Sequence, residues 1–215
     1  DQRAVDFHRI GRQPRGLRYV PKCKYYHEDE ETGEVVEGIF PAMVAIVNNA
    51  RGESVAVHRT WLALNDQGIW DKAPVPKAKK VLGLYSGAAI HLWKGIGPRG
   101  GKPVGLHHCG PDTHVMISEG IEDALSAVLL TPEARVICAI TLSNIGQVEL
   151  PANVSTVTLI ACLDENATAR AQLDHAIAQH QRAGRRVKLF QNHWGDKDLN
   201  DALRAARDAQ SESER

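Results

Sequence analysis

From residue 112 onward the sequence switches repeatedly between two hydrophobic periods, and this switching constrains the fold more than any other feature. Val115–Ser118 is a short apolar run. Ile121, Ala124, Leu125, Val128 and Leu129 follow at helical spacing. Arg135–Ile140 and Thr156–Leu163 read as further strands, with a loop around Asn144-Ile145-Gly146 between them. A helix is expected from about Ala167 to Ala183, stopped by Gly184, then a strand over Arg186–Phe190. A last helix is expected from Leu199, with Leu199, Ala202, Leu203 and Ala206 on one stripe. Short apolar strands alternating with helices imply a mostly parallel sheet flanked by helices.

The first half has a different pattern. Pro41–Val47 and Ser54–Leu64 are β-rich runs separated by Asn48-Asn49-Ala50-Arg51-Gly52-Glu53, a strong turn signal. In the second run Val55, Val57, Arg59 and Trp61 alternate with Ala56, His58, Thr60 and Leu62. Glu28–Gly33 reads as a charged hairpin tip, and Ala73–Lys80 as an exposed Pro- and Lys-rich loop. Gly, Pro and Arg cluster over Gly95–Gly105, which marks a linker. The division expected is a β-rich, basic part over residues 1–105, an α/β part over 112–207 and a polar tail over 208–215.

Charge follows the same division. Residues 1–110 hold 16 Lys and Arg against 11 Asp and Glu, whereas residues 111–215 hold 10 against 15. A basic half beside an acidic half suits a protein that holds a polyanion with one part and metal ions with the other. The four cysteines form no CxxC pair, so neither a disulfide framework nor a zinc ribbon is encoded. No apolar run is long enough to span a membrane, and the polar, Arg-rich start is not a secretory leader. A cytoplasmic setting without membrane contact is expected. The first residue is Asp1 rather than Met, so a piece of a longer chain is expected.

In parallel sheets, sites form at the carboxyl ends of strands. Three acidic clusters occupy such positions: Ser118-Glu119-Gly120, Asp164-Glu165-Asn166, and the run from Gly195 to Asp201. Each has a structural explanation when taken singly. Asp164 can cap the helix after it, and Asp198 with Asp201 fits an N-cap with an acid three residues on. Glu119 fits that explanation least, because it ends a strand and Gly120 follows, where a ligand can approach the backbone closely. Taken together, the clusters offer oxygen ligands to a hard divalent cation such as Mg²⁺ or Mn²⁺.

The order of these motifs resembles the Toprim domain. Ser118 through Ser126 is similar to that family's Glu-Gly strand end followed by a helix. Asp164-Glu165-Asn166 stands where the family carries Asp-x-Asp. Gly195 through Leu203 is similar to the Gly-x-Lys-Asp-x-Asn-Asp-x-Leu run of phage and plasmid primase-type members. Within residues 15–95, Leu17-Arg18-Tyr19, Pro41–Ala45, His58–Leu62 and Gly87–Leu92 resemble the segment that precedes Toprim in these mobile-element primases. The fold implied is α/β: a Toprim-like, mostly parallel sheet flanked by helices, preceded by a smaller β-rich α+β subdomain.

The resemblance implies roles for individual residues. Glu119 is the acid nearest the chemistry, Asp164 a principal metal ligand, and Asp198 a group beside the metals. Asn166 replaces the second acid of Asp-x-Asp, which lowers the site's charge by one unit. Arg59, Lys72, Lys80, Lys197, Asn200 and Asp201 are the candidates for binding nucleic acid or nucleotide. The activity implied is Mg-dependent nucleotidyl transfer, making primers on a single-stranded DNA template from nucleotides, with a replicative helicase as a further partner. A Toprim nuclease and a nucleic-acid-binding module with a weakened metal site are the alternatives. No Walker A motif is present, so no helicase motor of that type lies in this sequence.

Overall fold

The computed structural model describes residues 13–97, 101–161, 166–191, 199–200 and 203. Ten strands form two five-stranded sheets. The first sheet is antiparallel and contains β1 (Leu17–Glu28), β2 (Val35–Asn48), β3 (Ser54–Leu64), β4 (Trp70–Lys72) and β5 (Lys79–Gly83). Its path runs β1-β2-β3-β4, and β5 pairs with the part of β3 before β4. The second sheet has the order β10-β9-β7-β8-β6, built from β6 (Ile90–Trp93), β7 (Thr113–Ser118), β8 (Arg135–Cys138), β9 (Val154–Ala161) and β10 (Arg186–Gln191). It is parallel except for edge strand β6, which runs antiparallel to β8. Among the described residues, α1 (Ile121–Leu130), α2 (Leu142–Ile145) and α3 (Ala167–Arg182) accompany it. No described helix is long and apolar enough to cross a membrane.

Two expectations shift. The linker reading put residues up to 105 in the first half, yet β6 is a strand of the second sheet. Sheet membership is decided by which edge is open to a partner, and a four-residue strand carries no local mark of that choice. The Lys-rich stretch Ala73–Lys80, read as an exposed loop, begins at a buried alanine and ends inside β5. Lysines extend a strand here because their stems cover apolar surface while their ammonium groups stay in solvent.

The hydrophobic core spans both sheets. Leu17, Ala45, Val47 and Ala56 of the first sheet pack with Ile90, Val136, Cys138 and the α1 residues Ile121, Ala124, Leu125 and Val128. The spacing of those α1 residues explains why this face is buried. On the reverse face of the first sheet, Tyr25, Ala42, Trp61 and Ala73 form a small separate core. Tyr25 meets Trp61 edge-on, with ring centroids 5.0 Å apart.

The segment between β5 and β6 is clasped from two sides. Asn48 and Ala89 exchange two backbone hydrogen bonds. On the other side lies Asn144, in α2, with a side chain only 4% exposed. Its Nδ2 donates to the carbonyls of Ala88 and Ala139, each at 2.9 Å, and its Oδ1 accepts from the Gly87 N–H at 2.9 Å. One amide therefore ties the link between the halves to the end of β8. Close by, Ile140 holds φ at 77°, strained for a β-branched residue. Replacing Asn144 with Ala leaves these backbone groups unpaired in the interior. We expect Asn144→Ala to lower the unfolding free energy by about 2–4 kcal/mol in chemical denaturation. A loss below about 0.5 kcal/mol would show that solvent satisfies these groups equally well.

Candidate nucleic-acid and metal site

The carboxyl end of β7 carries the first acidic motif. Ser118 is fully buried and its Oγ donates to the Gly120 carbonyl at 2.8 Å, closing the turn that follows the strand. The buried Cys138 Sγ donates to the Glu119 carbonyl at 3.0 Å. Burial pushes that thiol up to about 12, so it stays a neutral donor at ordinary pH. The Ala139 N–H also donates to the Ser118 carbonyl, at 2.8 Å. The backbone beneath Glu119 is thus fixed by β8, while the Glu119 residue itself is exposed.

Gly120 is the N-cap of α1, and Glu122 and Asp123 stand in the first turn, where carboxylates complement the helix dipole. A Cβ on Gly120 would lie 3.5 Å from Glu122 Oε2 and 3.9 Å from Asp123 Oδ2, ordinary contact distances that put this position against the acids of the first turn. Glu122 pairs with Lys79 of β5 at 3.2 Å, a contact between the two halves. Asp123 Oδ1 accepts the Asn200 N–H at 3.3 Å.

The sequence candidates fall into three groups. Glu119 stands at the strand end, as expected. Asn166 is the N-cap of α3, its Oδ1 accepting the Thr168 N–H at 2.8 Å, so at least one lone pair is committed to capping. Asn200, expected to contact nucleic acid or nucleotide, is instead 5% exposed and donates through Nδ2 to Ser126 Oγ at 3.1 Å. Burial against α1 makes it a structural tie for the start of the last helix. Asp164, Lys197, Asp198 and Asp201 lie outside the described residues, as does Glu165. Among the described residues, no three metal-ligating side chains come together.

The basic candidates separate by sheet face. Arg59 pairs with Val44 on one side and Lys80 on the other, and Val44 pairs with Arg18. Arg18, Val44, Arg59 and Lys80 therefore form one cross-strand row on the face of the small outer core. The Arg59 guanidinium lies 4.8 Å from the Trp61 ring centroid, and the Lys80 ammonium 4.9 Å from that of Tyr25. Arg59 Nε is buried with no hydrogen-bond partner. Lys80 donates to the Tyr26 carbonyl at 2.6 Å. Partial burial, then Lys77 and Arg59, lower the Lys80 pKa, which marks a concentration of positive charge. The next row, Thr60 with Lys79, faces the opposite way, toward α1 and Glu119. Lys72 pairs with Leu62 and is exposed on that second side.

Against this geometry, residues 114–208 match the family model of the Toprim domain. The second half is a Toprim domain. Residues 1–92 match a model described as a domain of unknown function (DUF7146). No curated protein sequence matches the chain. The E. coli primase catalytic core is similar at 12% identity and a TM-score of 0.51, over 97% of this chain and 69% of that one. A DnaG primase catalytic domain bound to ssDNA is similar at 12% identity and a TM-score of 0.50, over 97% and 70%. The primase fragment of the bacteriophage T7 primase-helicase protein is similar at 14% identity and a TM-score of 0.46, over 88% and 65%. The chain spans less than two thirds of that fragment. The likenesses to the E. coli core and the DnaG catalytic domain establish a shared fold.

Sequence reasoning missed Asp123 and Cys138 here, and saw Lys79 only as one of four lysines flanking a Pro-rich loop that could track a nucleic-acid backbone. Only its cross-strand position distinguishes Lys79. His58 was noted only as a strand residue, yet it is buried beside the Lys79–Glu122 pair, with its Nδ1 lacking a partner. Burial, reinforced by Lys79 and opposed by Glu122, lowers its pKa from 6.5 to about 4. Unfolded, this imidazole takes a proton near pH 6.5, whereas folded it resists until about pH 4. Its contribution is full above pH 6.5 and is lost as pH falls toward 4. We expect the melting temperature to fall across that window and His58→Gln to flatten the decline. An unchanged slope in the variant would exclude His58 as a source of the acid sensitivity.

Proposed function

We propose that this protein catalyses Mg²⁺-dependent nucleotidyl transfer on nucleic acid, making primers on a single-stranded DNA template. The observation that carries the reading is the first Toprim motif: an exposed Glu119 at the end of β7, on backbone tied down by Ser118 and Cys138. The donor set suits the metal, because Glu119, Asp164 and Asp198 offer only carboxylate oxygens, which hard divalent cations prefer. Bound Mg²⁺ supplies neutralisation of phosphate charge as a 3′ hydroxyl attacks an α-phosphate.

The remaining work belongs to this chain's own residues. Glu119 holds the metal or moves a proton at the reacting edge. Lys79, on the same side and paired with Glu122, presents a cation across the seam. Lys72 lies on that side too, whereas Arg59 and Lys80 hold backbone phosphates of a flanking strand on the outer face. Lys197 faces phosphate, and Asp201 helps build the last motif. Nucleotides and single-stranded DNA are the substrates, and a replicative helicase is the further partner. Asn166 favours a second reading, a nucleic-acid-binding module with a weakened metal site, since its amide oxygen caps α3 and brings no charge.

Glu119→Gln should cut primer yield about a hundredfold or more while leaving the melting temperature within experimental error. Normal yield from a folded variant would overturn the assignment. Cut products appearing without added nucleotides would identify a nuclease instead. Arg59→Gln combined with Lys80→Gln should weaken single-strand binding and reduce its log–log salt slope by roughly 1.4, at about 0.7 per lost phosphate contact. An unchanged slope would remove the outer row from the binding surface.

A further inference from the structure

The sheet face that carries Lys79 has a second feature that the proposed chemistry does not use. Register places Tyr19 opposite Met43, Met43 opposite Thr60, and Thr60 opposite Lys79. Side chains directly opposite in antiparallel strands point to the same face, so these four make one row. Two independent contacts fix which face it is. Met43 packs on the core shared with the Toprim domain, and Lys79 reaches Glu122. At about 4.8 Å between strands, the row runs roughly 14 Å from Tyr19 to Lys79.

Tyr19 at the far end is 57% exposed, and Trp70 beside it is 49% exposed. Their rings meet edge-on, with centroids 6.5 Å apart. Trp70 pairs with Leu64 and Lys72 with Leu62, so β4 sets an aromatic ring and an ammonium side by side on this same face. Ala63, between those two partners, packs into the small core on the reverse face, which confirms the alternation. Neither ring belongs to the buried cores. A T-shaped pair leaves ring surface open, and Lys72 stands two residues along β4 on the same side of the strand.

We propose that Tyr19 and Trp70 form a stacking platform for an unpaired base of a single-stranded nucleic acid, with Lys72 meeting the adjoining phosphate. The inference rests on the nucleic-acid reading above and names where on the β-rich half a base is held. Aromatic faces with a neighbouring cation are the chemistry that binds single strands without reading sequence. The row leads along the same face from Tyr19 to Lys79, whose ammonium meets Glu122 of α1, and lies opposite to the Arg59–Lys80 row.

The test compares a 15-nucleotide oligothymidylate with an abasic deoxyribose-phosphate strand of equal length, by fluorescence anisotropy at fixed salt. Trp70→Ala and Tyr19→Ala should each weaken oligothymidylate binding about fivefold or more. Abasic-strand binding should stay unchanged, and Trp70→Phe and Tyr19→Phe should keep most of the affinity. Equal weakening on both strands, or no weakening on either, would overturn the platform. Loss of self-association in the alanine variants without change in strand binding would also overturn it, assigning the face to a second copy of the chain. Wild-type protein that binds neither strand would instead overturn the nucleic-acid reading itself.

Discussion

A single buried amide ties the link between the two sheets to the end of β8, beside the hydrophobic core that both sheets share. Asn144 bonds Gly87 and Ala88, in the link out of the first sheet, and Ala139, at the end of β8. A buried amide is an expensive group to place unless its donors and acceptor are used, and here both kinds are. The consequence reaches the site. Ala139 also bonds Ser118, and Cys138 bonds Glu119, so the residues fixed by Asn144 are next to those that shape the acidic turn. Lys79 can meet Glu122 only if the first sheet is seated where this clasp puts it.

The acidic turn shows how a parallel sheet prepares a reactive edge. Strand β7 is buried on both sides by β8 and β9, so its end is rigid. The buried Ser118 hydroxyl and Cys138 thiol use their hydrogen-bonding capacity on the Gly120 and Glu119 carbonyls rather than on a ligand. Glu119 itself is an exposed residue at this strand end. The neighbouring acids have other tasks: Glu122 binds across the seam and Asp123 receives the last helix. Of these acids, Glu122 therefore serves the contact between the halves and Asp123 the contact with Asn200.

Much of this was legible from residues alone. Helical and strand periods located β7, α1, β9 and α3 closely, because each buries a face whose spacing survives in the sequence. Glu119 was legible for the same reason, as an acid ending an apolar run before a glycine. Asn144 was not, since a buried amide looks like any turn asparagine until its partners are known. The pairing of β6 with β8 was not legible either, because edge pairing is a long-range choice. Tyr19 escaped notice for a third reason: Pro21 and the irregular register between Val20 and Cys23 break the alternation of β1 that would have revealed its face.

In β3, neighbouring positions serve opposite sides of the molecule. Arg59 belongs to the cationic row and Thr60 to the row that joins Tyr19 with Lys79. Because strand alternation has a period of two, inserting one residue near position 58 would turn the rest of the strand over. Arg59 would then be driven into the apolar seam, and Trp61 would leave its contact with Tyr25. Two inserted residues would lengthen the strand yet return each side chain to its own side. Descendants of this chain should therefore vary in strand length by even steps, and odd steps should survive only where a bulge restores the count.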